Sequence, residues 1–194
     1  MERKLQQSLF LQFLKHPFST GAVCASSPAL CREMIGCSSF RNASTFAELG
    51  PGTGAVTACI LANLPSGADF FSVELNKDVI SLLQKRFPGL AIYNESAENL
   101  RRIMSERSIR SLDMVISSLP WTIFPGDLQE RLLDEILSAM SDDGMFVTYT
   151  YVTGAFMPAG IRFHACLKRK FGRVERSSVI WKNMPPAFVY RCRK

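Results

Sequence analysis

A glycine-rich turn between Glu48 and Gly54 is the part of the sequence whose residue types and spacing most clearly indicate chemistry. Gly50, Gly52 and Gly54 occupy alternate positions, directly after an apolar segment and directly before a helical pattern. Glycine permits a tight turn and a close approach of a ligand to the backbone, and the N–H groups at a helix start bind polar groups. The turn therefore predicts a binding site for a polar ligand.

An acidic residue at the end of the next apolar segment narrows the class of ligand. Glu74 follows Phe70-Phe71-Ser72-Val73, where a carboxylate can accept hydrogen bonds from both hydroxyls of a ribose. Dinucleotide-binding enzymes share this pair of features, but their G-x-G-x-x-G spacing is absent. The turn reads G-x-G-x-G instead, with the acidic Glu48 at its start.

These residues resemble the first motif of class I methyltransferases, which bind S-adenosylmethionine and release S-adenosylhomocysteine. The resemblance implies that Glu48 supports the methionine end of the cofactor. For the adenine, Ser96 and Ala97 stand where many relatives have Asp-Ala, so the backbone amide of Ala97 or the nearby Glu95 could replace the missing Asp. Two further residues, Leu75 and Ser117, complete the predicted cofactor site.

A second motif, Ser118-Leu119-Pro120-Trp121, resembles the Asn/Asp/Ser-x-Pro-aromatic tetrapeptide of amino-group methyltransferases. Proline fixes the backbone so that carbonyl oxygens point at the amine, and the aromatic ring faces a nitrogen that becomes cationic. Ser118 and Trp121 are therefore predicted catalytic residues, and no metal is needed. Of Tyr149 and Tyr151, we expect only Tyr151 to reach the cleft and the other to face the core.

The elements that must position these residues alternate along the chain in the pattern of β-α units. Predicted strands cover residues 45–49, 70–74, 91–93, 114–117, 144–151, 174–181 and 187–192. Predicted helices cover residues 55–64, 77–87, 98–106, 127–140 and 161–170. The connection between the last two strands is too short for a helical crossover, so they must form an antiparallel hairpin. The expected fold is α/β and Rossmann-like, with a seven-stranded, mostly parallel sheet, an antiparallel last strand and helices on both faces.

The length and composition favour one domain over residues 1–194, with residues 1–35 as a helical lid or membrane-contact segment. Residues 2–15 form an amphipathic pattern with Leu, Phe and a few charges. The formal charge of +6 favours anionic partners, either nucleic acid or a membrane surface. Six scattered cysteines and the lack of a long apolar run favour a cytoplasmic protein that is neither secreted nor integral to a membrane.

Over almost the whole chain the sequence resembles the bacterial soluble phosphatidylethanolamine N-methyltransferases, which are related to the ribosomal RNA adenine dimethylases. The most selective shared segments are Ser117-Ser118-Leu119-Pro120 and the Trp-x-Asn-x-Pro-Pro-Ala run that begins at Trp181. The resemblance implies methyl transfer to a phospholipid amine. It also implies peripheral association with an anionic membrane through the N-terminal helix.

Two other functions stay open at this point. The dimethylases share the cofactor motif and use an Asn-Leu-Pro-aromatic tetrapeptide, so an RNA adenine N6-methyltransferase is the first alternative. Those enzymes carry an additional helical RNA-binding domain, whereas this sequence ends directly after its seventh predicted strand. Its tetrapeptide also has Ser where theirs has Asn. Both differences make RNA the less favoured acceptor. The second alternative is a cofactor-binding module without catalysis. Sequence alone sets neither the number of methyl groups nor the oligomeric state.

Overall fold

The computed structural model describes residues 26–194, which form one seven-stranded sheet with helices on both faces. The predicted helix over residues 2–15 lies outside the described residues. The strands are β1 (Thr45–Leu49), β2 (Asp69–Glu74), β3 (Ala91–Asn94), β4 (Leu112–Ser117), β5 (Met140–Tyr151), β6 (Arg173–Arg176) and β7 (Ala187–Arg193). The helices are α1 (Pro28–Ile35), α2 (Ser38–Asn42), α3 (Ala55–Asn63), α4 (Lys77–Arg86), α5 (Leu100–Glu106), α6 (Gly126–Ala139), α7 (Val152–Ala155) and α8 (Pro158–Lys170), with one 3₁₀ turn at Ala97–Asn99.

The strand order is β3-β2-β1-β4-β5-β7-β6. Strands β1 to β5 pair in parallel, whereas β7 runs antiparallel to both β5 and β6. This confirms the expected fold, including the reversed last strand. Because the order changes direction between β1 and β4, the crevice at their carboxyl ends is the place where open α/β sheets bind ligands.

Two apolar layers hold the sheet between its helices. One layer packs α5, α6 and α8 against the sheet through residues such as Ile103, Leu133 and Phe163. The opposite layer packs α1, α2 and α3 through residues such as Met34 and Phe40. Strands that are buried on both faces consist of continuous apolar residues, so most of these strands could be predicted from the sequence.

Several boundaries differ from the sequence prediction. β5 begins at Met140, within the predicted helix, and its register shifts opposite β4 between Leu112 and Met114. α1 lies within the N-terminal segment predicted to be helical, and Ser27 caps it by accepting from the Leu30 amide at 3.2 Å, whereas α2 was not predicted. β6 ends at Arg176 rather than at residue 181, and beyond it Ser177 hydrogen-bonds Val189 and Ile180 pairs with Ala187 of β7.

Candidate active site

The glycine-rich turn connects β1 to α3 at the crevice, and all three of its glycines have positive φ angles. Gly50 donates its N–H to the Val73 carbonyl at 2.9 Å, and an added Cβ would lie 2.8 Å from the Leu119 side chain. Gly52 has φ +53°, and no atom lies within 4 Å of where its Cβ would be. Its backbone therefore faces open space, which a ligand can approach closely.

Nine of the twelve predicted site residues line one cavity of about 260 Å³ at the carboxyl ends of the strands. They are Gly50, Gly52, Glu74, Leu75, Ser96, Ala97, Ser118, Trp121 and Tyr151. The other three, Glu48, Gly54 and Ser117, do not line the cavity.

Glu74 lies beside the glycine turn, as the sequence predicts. Its Oε1 accepts from the Asn76 amide at 2.9 Å, and its carboxylate also accepts from the Gly52 backbone N–H. Burial raises the pKa of Glu74, while these backbone hydrogen bonds oppose the rise. A carboxylate held in this way keeps lone pairs for two ribose hydroxyls. Asn76, which also lines the cavity, was not predicted as a site residue.

The residues predicted to contact adenine are already used in local hydrogen bonds. The Ser96 hydroxyl caps the 3₁₀ turn by accepting from the Glu98 amide at 3.2 Å. The Glu95 carboxylate accepts from the Ser96 amide and from Asn99, each at 2.9 Å, and forms an ion pair with Arg102. Glu95 is therefore poorly placed to substitute for the Asp of relatives. The Ala97 amide opens the 3₁₀ turn, where an N–H has no acceptor within its own turn, so it is the better adenine donor.

Glu48 is fully buried beneath the turn rather than exposed in the cavity. Its carboxylate accepts from the Thr57 hydroxyl at 2.8 and 3.0 Å and from the Ser72 hydroxyl at 2.8 Å. Burial raises the pKa of Glu48 to about 7 against the opposing effect of these two hydroxyls. The side chain therefore joins β1, β2 and α3 beneath the turn, and any support that it gives to the methionine end of the cofactor stays a prediction.

Gly54 also has a different role from the one predicted. It begins α3 with φ +77°, and an added Cβ would lie 2.7 Å from Leu83 and 2.8 Å from Phe87. A side chain at this position would collide with α4 and the residue that follows it. Gly54 therefore allows close packing of two helices, and it does not line the cavity.

The tetrapeptide after β4 is held by Ser117, which is buried beneath it. The Ser117 hydroxyl accepts from the Leu119 amide at 3.2 Å and from Trp121 Nε1 at 3.1 Å. Ser117 therefore positions the tetrapeptide, and it does not line the cavity where the predicted cofactor contact would be made. Ser118, in contrast, lines the cavity, and its buried Oγ has no hydrogen-bond partner among the described residues.

Trp121 forms part of the cavity wall, but its indole packs in the core. It is 1% exposed, stacks on Phe163 with ring centroids 4.7 Å apart, and meets Phe124 and Phe146 edge to face. Aromatic side chains from α8 and β5 enclose this ring and leave it little exposed surface, so its predicted approach to the amine stays a prediction. Trp121 fixes the shape of the wall next to Ser118.

Both tyrosines of β5 line the cavity, whereas the sequence analysis expected only Tyr151 there. Tyr149 and Tyr151 project from the same face of the strand because they are two residues apart, and their rings meet edge to face at 5.6 Å. Tyr149 also hydrogen-bonds Ser26 and Tyr151. Between them Thr150, not predicted as a site residue, lines the cavity with a buried hydroxyl that has no partner among residues 26–194.

The charge of the cavity wall fits a cationic ligand. In the described part of the chain no Lys, Arg or His lines the cavity, whereas Glu74, Glu95 and Glu98 do. Arg102 and Arg131 pair with Glu95 and Glu98, which leaves Glu74 as the carboxylate of the wall without an ion pair among residues 26–194, and this balance tolerates a positive sulfonium and a positive ammonium product. Together with the open backbone at Gly52, this arrangement fits S-adenosylmethionine.

No helix within residues 26–194 is long and apolar enough to cross a membrane. In the same range, no three His, Cys, Asp or Glu side chains lie together as a metal site would require.

Comparison with known proteins agrees with this geometry. No protein-family model matches the sequence. The ornithine lipid N-methyltransferase of Singulisphaera acidiphila is 30% identical over 191 residues, which cover 95% of this chain and 94% of that protein. Ribosomal RNA small subunit methyltransferase A of Prochlorococcus marinus is 33% identical over 90 residues, or 46% of this chain and 31% of that protein.

Solved structures share the fold at low sequence identity. An O-methyltransferase from Bacillus cereus, in complex with S-adenosylhomocysteine, superposes with a TM-score of 0.68 at 11% identity, over 97% of this chain and 90% of that one. The O-methyltransferase TomG from Streptomyces achromogenes, in complex with S-adenosylmethionine, gives 0.66 at 15% identity, over 97% and 89%. The chain is therefore an S-adenosylmethionine-dependent class I methyltransferase, and it belongs to the family of the ornithine lipid N-methyltransferase.

Proposed function

We propose that this enzyme transfers methyl groups from S-adenosylmethionine to the primary amine of a membrane-lipid head group, with phosphatidylethanolamine as the acceptor. The observation that carries methylation of a lipid amine is the end-to-end similarity to an ornithine lipid N-methyltransferase, and phosphatidylethanolamine is chosen for the sequence resemblance at Ser117-Ser118-Leu119-Pro120 and after Trp181. That relative's name makes ornithine lipid the second candidate acceptor. Both lipids offer a primary amine on a polar head group, which is the feature that the site must recognise.

The cofactor supplies a methyl group activated on a sulfonium. The Gly52 backbone and Glu74 would hold the cofactor, with the Ala97 amide at its adenine. The amine attacks as the neutral base, so an N–C bond forms while the S–C bond breaks and its electron pair returns to sulfur. The new ammonium then releases a proton to solvent. The enzyme contributes mainly alignment of the two reacting atoms.

Ser118 is the residue best suited to orient the amine. Its buried hydroxyl lacks a protein partner among residues 26–194 and lies in the cavity wall at the end of β4, the strand next to the glycine turn. By accepting an N–H of the neutral amine, the hydroxyl would direct the nitrogen lone pair towards the methyl group. The Ser117 and Trp121 side chains keep the backbone of this segment in place through the 3.1 Å hydrogen bond between them.

RNA methylation is the alternative, and the partial match to a ribosomal RNA methyltransferase is the observation that favours it. That match covers less than half of this chain, whereas the lipid-modifying relative matches nearly all of it. The RNA alternative therefore has weaker support.

The proposal is tested by offering S-adenosylmethionine with a radiolabelled methyl group and four separate acceptors. These are vesicles of phosphatidylethanolamine with phosphatidylglycerol, vesicles of ornithine lipid with phosphatidylglycerol, phosphatidylglycerol alone, and structured ribosomal RNA. Label in phosphatidylethanolamine is the expected result, and label in ornithine lipid alone would move the assignment to the second lipid. Label in RNA alone would overturn lipid methylation.

A matched pair of serine variants tests the site in the same assay. Ser118→Ala should lower the rate about 5- to 150-fold, which corresponds to the ~1–3 kcal/mol of one buried hydrogen bond. Ser138→Ala, whose exposed hydroxyl bonds only to the carbonyls of its own helix, should leave the rate unchanged. Equal rates for the two variants would remove Ser118 from the mechanism.

A further inference from the structure

Five large apolar side chains are exposed on two segments of the chain. One segment directly follows β5, and the other directly precedes β7. Ordinary surfaces carry single exposed apolar residues, as Leu61 and Leu82 are here on α3 and α4. A cluster of aromatic, Met and Ile side chains is different, because it marks an interaction surface. We call this cluster the apolar rim: Phe156 (79% exposed), Met157 (48%), Ile161 (59%), Trp181 (74%) and Met184 (73%).

The two segments of the apolar rim lie side by side. The Val152 amide, at the start of α7, donates to the Pro186 carbonyl at 2.9 Å. One residue earlier, Tyr151 at the end of β5 pairs with Ala187 at the start of β7. Because Ile180 pairs with the same Ala187, the loop that carries Trp181 and Met184 starts and ends beside the point where the segment with the other three residues leaves β5.

The apolar rim also adjoins the acceptor end of the cavity. Gly154 in α7 packs so closely on Thr122 that an added Cβ would lie 3.0 Å from the Thr122 hydroxyl oxygen. Thr122 and Tyr151 both line the cavity, next to the tetrapeptide that contains Ser118. A lipid whose head group enters here would keep its acyl chains on the side of the apolar rim.

The charges on these segments fit an anionic lipid surface. Residues 152–164 and 177–187 contain no Asp or Glu, and each range carries one cation, Arg162 and Lys182. Lys182 stands directly beside Trp181 in sequence. Aromatic side chains next to cations are typical of surfaces that lie at the boundary between head groups and acyl chains.

We propose that the enzyme docks on an anionic bilayer through the apolar rim, which inserts Trp181 and Phe156 at the level of the head groups beside the cavity. This docking is separate from any contact made by residues 1–25. The inference rests on the proposed lipid acceptor, and it adds the surface by which the enzyme reaches that acceptor.

Tryptophan fluorescence tests this inference without any methyl transfer. The chain has two tryptophans, and Trp121 is 1% exposed whereas Trp181 is 74% exposed, so a change of environment on docking reports Trp181. The full chain is mixed with vesicles of phosphatidylglycerol and phosphatidylethanolamine, with and without brominated acyl chains, and sedimented in parallel. The expected result is co-sedimentation with a blue shift of the emission and quenching by the brominated lipid.

Two outcomes would overturn the inference: co-sedimentation without any change in Trp181 emission, or no co-sedimentation at all. Replacing Phe156, Met157 and Met184 together by Ser should weaken vesicle binding by about tenfold or more, because exposed apolar side chains gain most when buried. The matched control, Leu61→Ser with Leu82→Ser, should bind as the wild type does. Equal binding by both variants would contradict the assignment.

Failure of docking is distinguishable from failure of the proposed function. If the enzyme methylates lipid amines dispersed in detergent but vesicles leave its Trp181 emission unchanged, then docking through the apolar rim is refuted and the lipid acceptor is supported. If Trp181 inserts into vesicles while no lipid receives label, docking through the apolar rim is supported and the proposed lipid acceptor is refuted.

Discussion

Substitution of Gly52 by Ala tests whether the cofactor passes over the glycine turn. Gly52 lines the cavity with φ +53°, and nothing lies within 4 Å of its missing Cβ. A methyl group there would meet no protein atom and would project into the space assigned to the cofactor. The effect on binding should therefore exceed the effect on folding.

The two effects can be estimated separately. A non-glycine residue in left-handed backbone costs about 1–2 kcal/mol, which lowers the melting temperature of a domain of this size by roughly 2–8 °C. An added methyl against a close-packed ligand costs about 1–3 kcal/mol more, so the dissociation constant should rise about 5- to 150-fold. Calorimetric titration with S-adenosylhomocysteine measures the second effect, and thermal unfolding without ligand measures the first.

Gly67 provides the matched control. It has φ +77° with nothing within 4 Å of an added Cβ, but it lies in the turn before β2 and does not line the cavity. Gly67→Ala should lower the melting temperature by a similar amount and leave cofactor affinity unchanged. If Gly52→Ala binds the cofactor as tightly as Gly67→Ala does, the cofactor does not pass over this turn and the reasoning is refuted.

Two carboxylates give further predictions. Glu74→Gln should weaken S-adenosylhomocysteine binding about 10- to 150-fold in calorimetry, because hydrogen bonds to a charged group contribute ~1.5–3 kcal/mol. The matched control is Glu98→Gln, which lies at the cavity wall but is paired with Arg131 and should bind the cofactor normally. Burial raises the pKa of Glu48 from 4.5 to about 7, so the folded state holds its proton more tightly than the unfolded state does. Stability should then fall by on the order of 3 kcal/mol as the pH rises through this window, and denaturant unfolding of Glu48→Gln should lack that fall. An equal fall in wild type and variant would assign the pH dependence to other groups.

The sequence located the fold and most of the cofactor side of the cavity because those features are local. The apolar strands, the alternate glycines and the acidic end of β2 can each be identified within a few residues. The complete burial of Glu48 could not be predicted because β1 is buried on both faces, so no alternation of polar and apolar residues indicates which way its side chain points. Its partners, Thr57 and Ser72, come from other elements.

The acceptor side depends on contacts between distant segments, which no local pattern reveals. Trp121 lies in the core because Phe163 of α8 stacks on it. The expectation for Tyr149 and Tyr151 failed for a simpler reason, since residues two apart in a strand share a face and the spacing alone contained that information. Thr150 was not predicted as a site residue, and only the fold shows its hydroxyl buried at the cavity.

The most direct test of the central claim is to identify the atom that receives the methyl group. The enzyme is incubated with S-adenosylmethionine carrying a ¹³C-labelled methyl and with phosphatidylethanolamine vesicles, and the extracted lipid is examined by NMR and mass spectrometry. We predict a ¹³C methyl bonded to the head-group nitrogen, absent when Gly52→Ala replaces the wild type at low cofactor concentration. A methyl bonded to oxygen, or lipid that stays unlabelled while RNA is methylated, would contradict the account.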